Sequence, residues 1–304
     1  MRRKGGLRTR IKMKNQEFKT VITSKHRLFD LHIKETMSYR DLIFLFVRRD
    51  FVAKYKQTIL GPLWAIIQPL LTTFVFTIVF GALAKLPRSD ISDAYIPGFL
   101  FYLSGTICWH YFSDTLHRTS NTFIDNRRVM GKVYYPRLVT PIATSVSNLI
   151  SFGIQFVMFV ITMIVFMIIG GDANGAYTLS ITPKLLFLPL IVLQLMILSA
   201  GCGIIISSLT TKYRDLAMLV TFGLQLWQYA SPVAYGLTLV PEKYTLLYML
   251  NPVTPIITTF RYAMFGAGYF NLIFYLISWA ITLFIAFLGL ILFSRIERTF
   301  MDTV

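Results

Sequence analysis

The sequence predicts an all-α membrane protein with six transmembrane helices, and three observations predict it. Of the 304 residues 55% are hydrophobic and only 14% charged, too apolar a composition for an ordinary soluble domain. Uncharged runs recur at the length that a helix needs to cross ~30 Å of hydrocarbon, about 20 residues at ~1.5 Å each. Lys and Arg collect in alternate loops, as they do on the cytoplasmic side of a membrane.

The first predicted span is Pro62 to Ala84 and the second Ala94 to Ser113. Leu138 to Gly171 contains the third together with flanking residues. A fourth lies within Leu185 to Thr211 and a fifth within Leu216 to Pro241. The sixth starts near Leu272, because Gly266, Gly268 and Asn271 break the preceding run. Before Gly61 there are 16 Lys and Arg against 5 acidic residues, and between Leu116 and Leu138 there are 5 against 1. Both segments are therefore expected in the cytoplasm, as is the short turn carrying Lys212 and Arg214. The Lys85 to Asp93 and Gly171 to Lys184 loops carry no net charge and are expected outside. Six spans with both termini cytoplasmic satisfy every loop. This distribution accounts for the net charge of +16 without nucleic acid as a partner.

Cys108 and Cys202 both lie in apolar runs, so their spacing supports neither a disulfide framework nor a thiolate metal site. The basic N-terminal stretch leads into mixed polar sequence rather than a short apolar core, which argues against a cleavable signal peptide. The expected divisions are a basic cytoplasmic N-terminus at 1–37, an interface helix at 38–61, a six-span domain at 62–296 and a cytoplasmic tail at 297–304.

Three segments are not expected to span. Ser38 to Leu60 mixes Leu42, Phe46, Phe51, Val52, Tyr55 and Ile59 with Arg40, Arg48, Arg49, Lys54 and Lys56. Long basic side chains can snorkel from such a helix, so it is expected to lie in the cytoplasmic interface against membrane lipids, with a solvated helix as the alternative. Arg118 to Arg137 is longer than a turn requires, and its Asn121, Asp125, Arg127, Arg128 and Lys132 suit either a soluble partner or anionic lipid. Ala230 to Gly268 is nearly uncharged yet divided by Pro232, Pro241, Pro252 and Pro255. Short external re-entrant helices between spans five and six are expected there, against the alternative of an ordinary structured loop.

No Gly-rich phosphate loop with its Lys and Ser or Thr is present, so the chain is not expected to hydrolyse ATP. His110, Asp114 and His117 share one helical face, a spacing that would suit a metal or a proton relay. Arg118 offers Asp114 an ordinary partner four residues away, and no metal site is expected. No acidic residue falls at the centre of a span, which disfavours an ion-coupled carrier. Aromatic residues make up 15% of the chain, and Phe74, Tyr102, Trp227, Tyr229 and Tyr235 are candidates for lining a path on which sugar rings could pack. Core or lipid-facing positions are the alternative.

Lys54 to Pro69, reading Lys-Tyr-Lys-Gln-Thr-Ile-Leu-Gly-Pro-Leu-Trp-Ala-Ile-Ile-Gln-Pro, resembles the entry to the first span of ABC-2 type permeases that export polysaccharide. Lys132-Val-Tyr-Tyr-Pro-Arg137, Lys212-Tyr-Arg-Asp215, Ser231-Pro-Val-Ala-Tyr235, Asn251-Pro252 and Phe260-Arg261 are similar to further segments of that family. The tail Glu297-Arg-Thr-Phe-Met-Asp302 points toward the O-antigen and lipopolysaccharide branch, with capsule and teichoic acid permeases as near relatives.

The resemblance implies a homodimer in the bacterial cytoplasmic (inner) membrane, with two copies of a separate nucleotide-binding ATPase subunit that holds ATP and Mg. It implies export of a polyprenyl-diphosphate-linked polysaccharide, this chain being a permease without catalytic residues or a cofactor of its own. Arg48, Arg49, Lys54 and Lys56 would mark the interface helix. Asn121, Asp125, Arg127, Arg128, Lys132, Lys212 and Arg214 would couple to the ATPase, and Pro241, Asn251, Pro252 and Arg261 would belong to an external gate. The basic stretch Met1 to about Lys25 is longer than the resemblance leads one to expect. An exporter of another lipid or drug, or a membrane-embedded enzyme acting on lipid-linked sugars, is the rival reading.

Overall fold

The computed structural model describes residues 33–56, 58–84, 96–130, 132–133, 135–172, 175–177, 179, 183–210, 215–266 and 268–302. The expected N-terminal region up to residue 32, the Lys85 to Asp93 loop, and Lys212 and Arg214 lie outside these residues. Among the described residues the architecture is helical apart from a two-residue antiparallel ladder between β1 (Gly171–Asp172) and β2 (Gly175–Ala176).

A short α1 (Ile33–Ser38) precedes α2 (Arg40–Tyr55), which occupies the stretch read as an interface helix. Gly61 sits at φ 49°, a conformation that favours glycine, and turns the chain into the 3-10 turn Gly61–Leu63 with Pro62 at its start. From there α3 (Trp64–Phe76) runs into a π-helical stretch, Thr77–Leu83. α4 (Gly98–Ser120) follows, then the single turns α5 (Thr122–Asp125) and α6 (Arg127–Met130). α7 (Val139–Ile169) is 31 residues long and stops at Gly170 with φ 76°. The 3-10 turn Pro183–Phe187 leads into α8 (Leu188–Thr210), and α9 (Leu216–Tyr229) comes next. The stretch expected to hold re-entrant helices forms a 3-10 turn at Leu237–Leu239, α10 (Glu242–Leu250) and α11 (Val253–Phe265). α12 (Leu272–Asp302) is the last described element.

Among the described residues four helices are long and apolar enough to cross a membrane: Gly61–Leu83, Val139–Ile169, Pro183–Thr210 and Leu272–Ser294. The six expected spans differ from these at two places. α4 has 23 residues, about 34 Å, but carries His110, Asp114, His117 and Arg118 in its second half. α9 has 14 residues, about 21 Å, and is short for a full crossing.

α4 is the centre of the packing. It buries Leu100, Phe101, Ile107, Phe112 and Leu116 and lies against α3, α7, α8, α9 and α11. Close approach comes from small residues, the means by which helices associate where lipid is as apolar as leucine. A Cβ at Gly203 of α8 would lie 2.5 Å from the Thr119 Cβ, and one at Gly289 of α12 would lie 3.0 Å from the Gly201 carbonyl oxygen. Polarity is reversed relative to a soluble bundle. α7 exposes Val157, Ile161, Ile164, Val165 and Ile168 while burying Thr144, Ser147, Asn148, Ser151 and Gln155.

Candidate functional site

Two places bring sequence-predicted residues together, and the first is where α2 meets the turns after α4. Arg49 contacts Asp50 at 2.8 Å, donates to Asn126 Oδ1 at 3.2 Å, and lies 4.4 Å from the Phe46 ring centroid. Phe46 packs edge-on against Tyr135, and Phe123 of α5 stacks on Phe293 of α12 at 4.9 Å. The loop therefore rests on two helices distant in sequence. Asn121 is half-buried and bonds the His117 carbonyl, whereas Lys132 is exposed. Loss of hydration raises the Asp125 carboxyl above its ordinary value; His117 and Arg118 oppose that shift and Asp50 reinforces it. Arg127 and Arg128 occupy α6.

Further along α2, Lys54 lies 3.9 Å from Asp114 Oδ2 and donates to Ser151 Oγ at 3.3 Å. The Tyr55 hydroxyl reaches the same Ser151 oxygen at 2.9 Å. α2 is thus tied to both α4 and α7, while Arg48 and Lys56 are exposed. Asp114 meets Lys54 rather than the Arg118 partner weighed from the sequence. Among the described residues no three His, Cys, Asp or Glu side chains gather where a metal could sit.

The second place is the turn between α9 and α10. Asn251 joins four groups: its Oδ1 accepts from Trp227 Nε1 at 3.1 Å and from the Val253 amide at 3.2 Å, and its Nδ2 donates to Ser231 Oγ at 2.9 Å and to the Ala230 carbonyl at 3.4 Å. It caps α11 and holds the end of α9 with one side chain. Arg261, within α11, is 1% exposed. It donates to the Val233 carbonyl at 2.8 Å, Ser104 Oγ at 3.2 Å, and the Phe101 and Tyr235 carbonyls at 3.4 Å. Its guanidinium lies 3.8 Å from the centroid of the Phe101 ring. A buried cation is tolerated when its donors are occupied and an aromatic face supplies further attraction. Pro241 is exposed ahead of α10, and Pro252 is buried.

The five candidate path aromatics divide. Tyr102 is 1% exposed and belongs to the core of the subunit beside Phe101. Trp227 is half-buried against Phe112 and Trp109. Tyr235 donates to the Tyr229 carbonyl and faces Tyr248. Phe74 and Tyr229 are 58% and 62% exposed, on helices whose outer faces are uncovered. The sequence reading missed Asn126, Ser151, Ser104 and Gly105. Each acts through a partner far away in the chain and carries no local signal; only Asn126, between charged neighbours, lay inside a segment already singled out.

Residues 41–265 match the ABC-2 type transporter family. The chain belongs to that family. The ABC-2 match encloses every motif that carried the resemblance except the tail after Glu297. An O-antigen export system permease protein RfbA of Klebsiella pneumoniae is 26% identical over 266 residues, covering 86% of this chain and 94% of its own length. The Myxococcus xanthus protein of the same name is 26% identical over 75% of this chain and 82% of its own. The polysialic acid transport protein KpsM of Escherichia coli is 25% identical over 71% and 78% respectively. The expected family is therefore the one found, and both sites described above fall largely inside the ABC-2 region.

Proposed function

We propose that this ABC-2 chain is the channel-forming subunit of an ATP-driven exporter of lipid-linked polysaccharide in a bacterial cytoplasmic membrane. The observation that carries the reading is similarity over 75–90% of the chain to permeases named for O-antigen export, joined over 71% by one named for polysialic acid transport. Two copies would pair, each with six spans and both termini in the cytoplasm. α4 serves as an interior span whose charged second half, with Asp114 beside Lys54, lies at the cytoplasmic end, and α9 with the turn after it serves as the fifth. The uncovered apolar face of α9, with Phe222, Leu226 and Tyr229, and Phe74 of α3 are exposed in one subunit. Those faces suit a second copy and the path between copies. Two ATPase subunits would hold ATP and Mg and bear on the α5–α6 turns, with movement reaching the spans through α2 and its contacts to Asp114 and Ser151. α10 and α11 would form the outer gate.

The test is purification of the chain with the product of a neighbouring ATPase gene, and complementation of a strain lacking this permease. A complex of two permease and two ATPase subunits, with surface polysaccharide restored, is the expected result. A complex that forms but restores no polysaccharide would move the substrate to another lipid or a drug. Absence of any ATPase partner would favour the membrane-embedded enzyme.

A further inference from the structure

We propose that Arg261 is a positioning residue that clamps α11 and the turn at 231–236 to α4, leaving α10 as the movable part of the outer segment. The proposal concerns this chain's own geometry and stands whichever molecule the protein exports.

The clamp joins three stretches of chain at one guanidinium. Val233 and Tyr235 offer carbonyls from the turn, and Phe101 and Ser104 offer oxygens from α4, while Arg261 itself belongs to α11. Gly105 independently marks the same point. A Cβ there would lie 2.5 Å from the Val233 carbonyl oxygen and 2.8 Å from Arg261 Nη2, so the turn and the arginine occupy the space that the missing side chain leaves. α11 is also fixed at both ends. Ser278 Oγ donates to the Pro252 carbonyl at 2.8 Å, and Lys184 Nζ donates to the Gly266 carbonyl at 2.8 Å while lying 3.9 Å from the Tyr262 ring centroid. Between these ends Val253, Ile256, Ile257 and Phe260 are fully buried.

α10 is built differently. It buries Met249 and exposes Tyr244, Leu246, Leu247 and Leu250. Pro241 and Asn251, which bound it, lie outside the helix, with ψ of 139° and 112°, so non-helical backbone separates α10 from the turn before it and from α11. Few buried contacts and an exposed surface place an element at the low end of local stability.

The test is amide hydrogen exchange, read by mass spectrometry on the purified full-length chain. In the unaltered protein α10 should exchange at least ~10-fold faster than α11, and α7 should be protected. Arg261→Met, which keeps an apolar stem over Phe101, should speed exchange in the turn and α11 by ~10-fold or more while leaving α7 unchanged. Arg261→Lys should release the turn as well, because one ammonium cannot reach carbonyls on both sides. Gly105→Ala supplies a second route with the arginine intact, and decides the matter if Arg261→Met does not purify. Its methyl should displace the Val233 carbonyl and raise exchange in the turn. α10 exchanging as slowly as α11 overturns the division of the outer segment. An unchanged turn in Arg261→Met, or in Gly105→Ala where that variant decides, overturns the clamp. Retained protection with lysine would assign the hold to charge alone, and faster exchange in α7 too would make Arg261 a support of the whole fold; either result overturns the proposal.

Discussion

Arg49 and Asn126, 77 positions apart, share a 3.2 Å hydrogen bond that joins α2 to the turn between α5 and α6. The guanidinium is held in place from two sides, by Asp50 and by the Phe46 ring. Its position suits a link that passes displacement of the turns to α2. Under the proposed function, Arg49→Ala is expected to reduce export several-fold, while the amount of protein in the membrane stays near normal because an exposed pair adds at most ~1 kcal/mol. A double-mutant cycle with Asn126→Ala on export rate checks it. Additive losses would mean that the two residues act separately.

Under the proposed function, replacing Asp125, Arg127 and Arg128 together with Ala should separate ATP hydrolysis from export. Hydrolysis by the assembled complex should persist as polysaccharide movement falls. Measuring both rates on one preparation decides, and normal coupling in the triple variant would place the ATPase contact elsewhere.

The aromatic residues should fall into two classes by stability. Tyr102→Ala empties a filled core position, and large aromatic truncations of that kind cost ~3–5 kcal/mol, so the variant should assemble poorly. Tyr229→Ala removes an exposed ring and should leave the melting temperature almost unchanged while shortening or slowing the exported chains. Thermal unfolding in detergent, set beside the length distribution of surface polysaccharide, distinguishes them. A large drop in melting temperature for Tyr229→Ala would return that residue to the packing class.

Gly203→Ala should destabilise the chain by about 1–3 kcal/mol, because its methyl meets the stiff, β-branched Thr119 at 2.5 Å. Gly223→Ala is the control. A Cβ there meets nothing within 4 Å, and the change should be neutral or slightly stabilising. Melting temperatures of the two purified variants give the comparison, and equal values would show that α4 and α8 can part without cost.

Lys54→Ala should weaken the hold of α2 on the bundle, since it removes contacts to both Asp114 and Ser151. Proteolysis within α2 is expected to quicken, with export falling in parallel. Lys54→Arg keeps the charge and should recover part of the loss.

Much of this was legible in the chain because it rests on local composition. Gly61–Leu83 and Val139–Ile169 are visible as apolar runs, and the break read at Gly266 falls where positive φ favours glycine. α2 could be separated from the spans by its Arg and Lys content alone. α4 was harder: the span read at Ala94 to Ser113 stops short of the helix end at Ser120, and its enclosure by five other helices could not be read, since a helix that is apolar nearly all round does not show which face meets protein. Asp114 illustrates the same limit, because the sequence offers Arg118 as a neighbour whereas folding brings Lys54 from another helix.

The sequence by itself determined that the chain lives in a membrane and which family it joins, because hydrophobic length and short motifs are properties of contiguous residues. The tertiary structure alone decided that Arg261 lies inside the protein, that Asn251 ties α9 to α11, and that Gly105 leaves room for the Val233 carbonyl. Those relationships depend on distances between residues up to 160 positions apart. Side-chain packing sets such distances, and no local pattern encodes them.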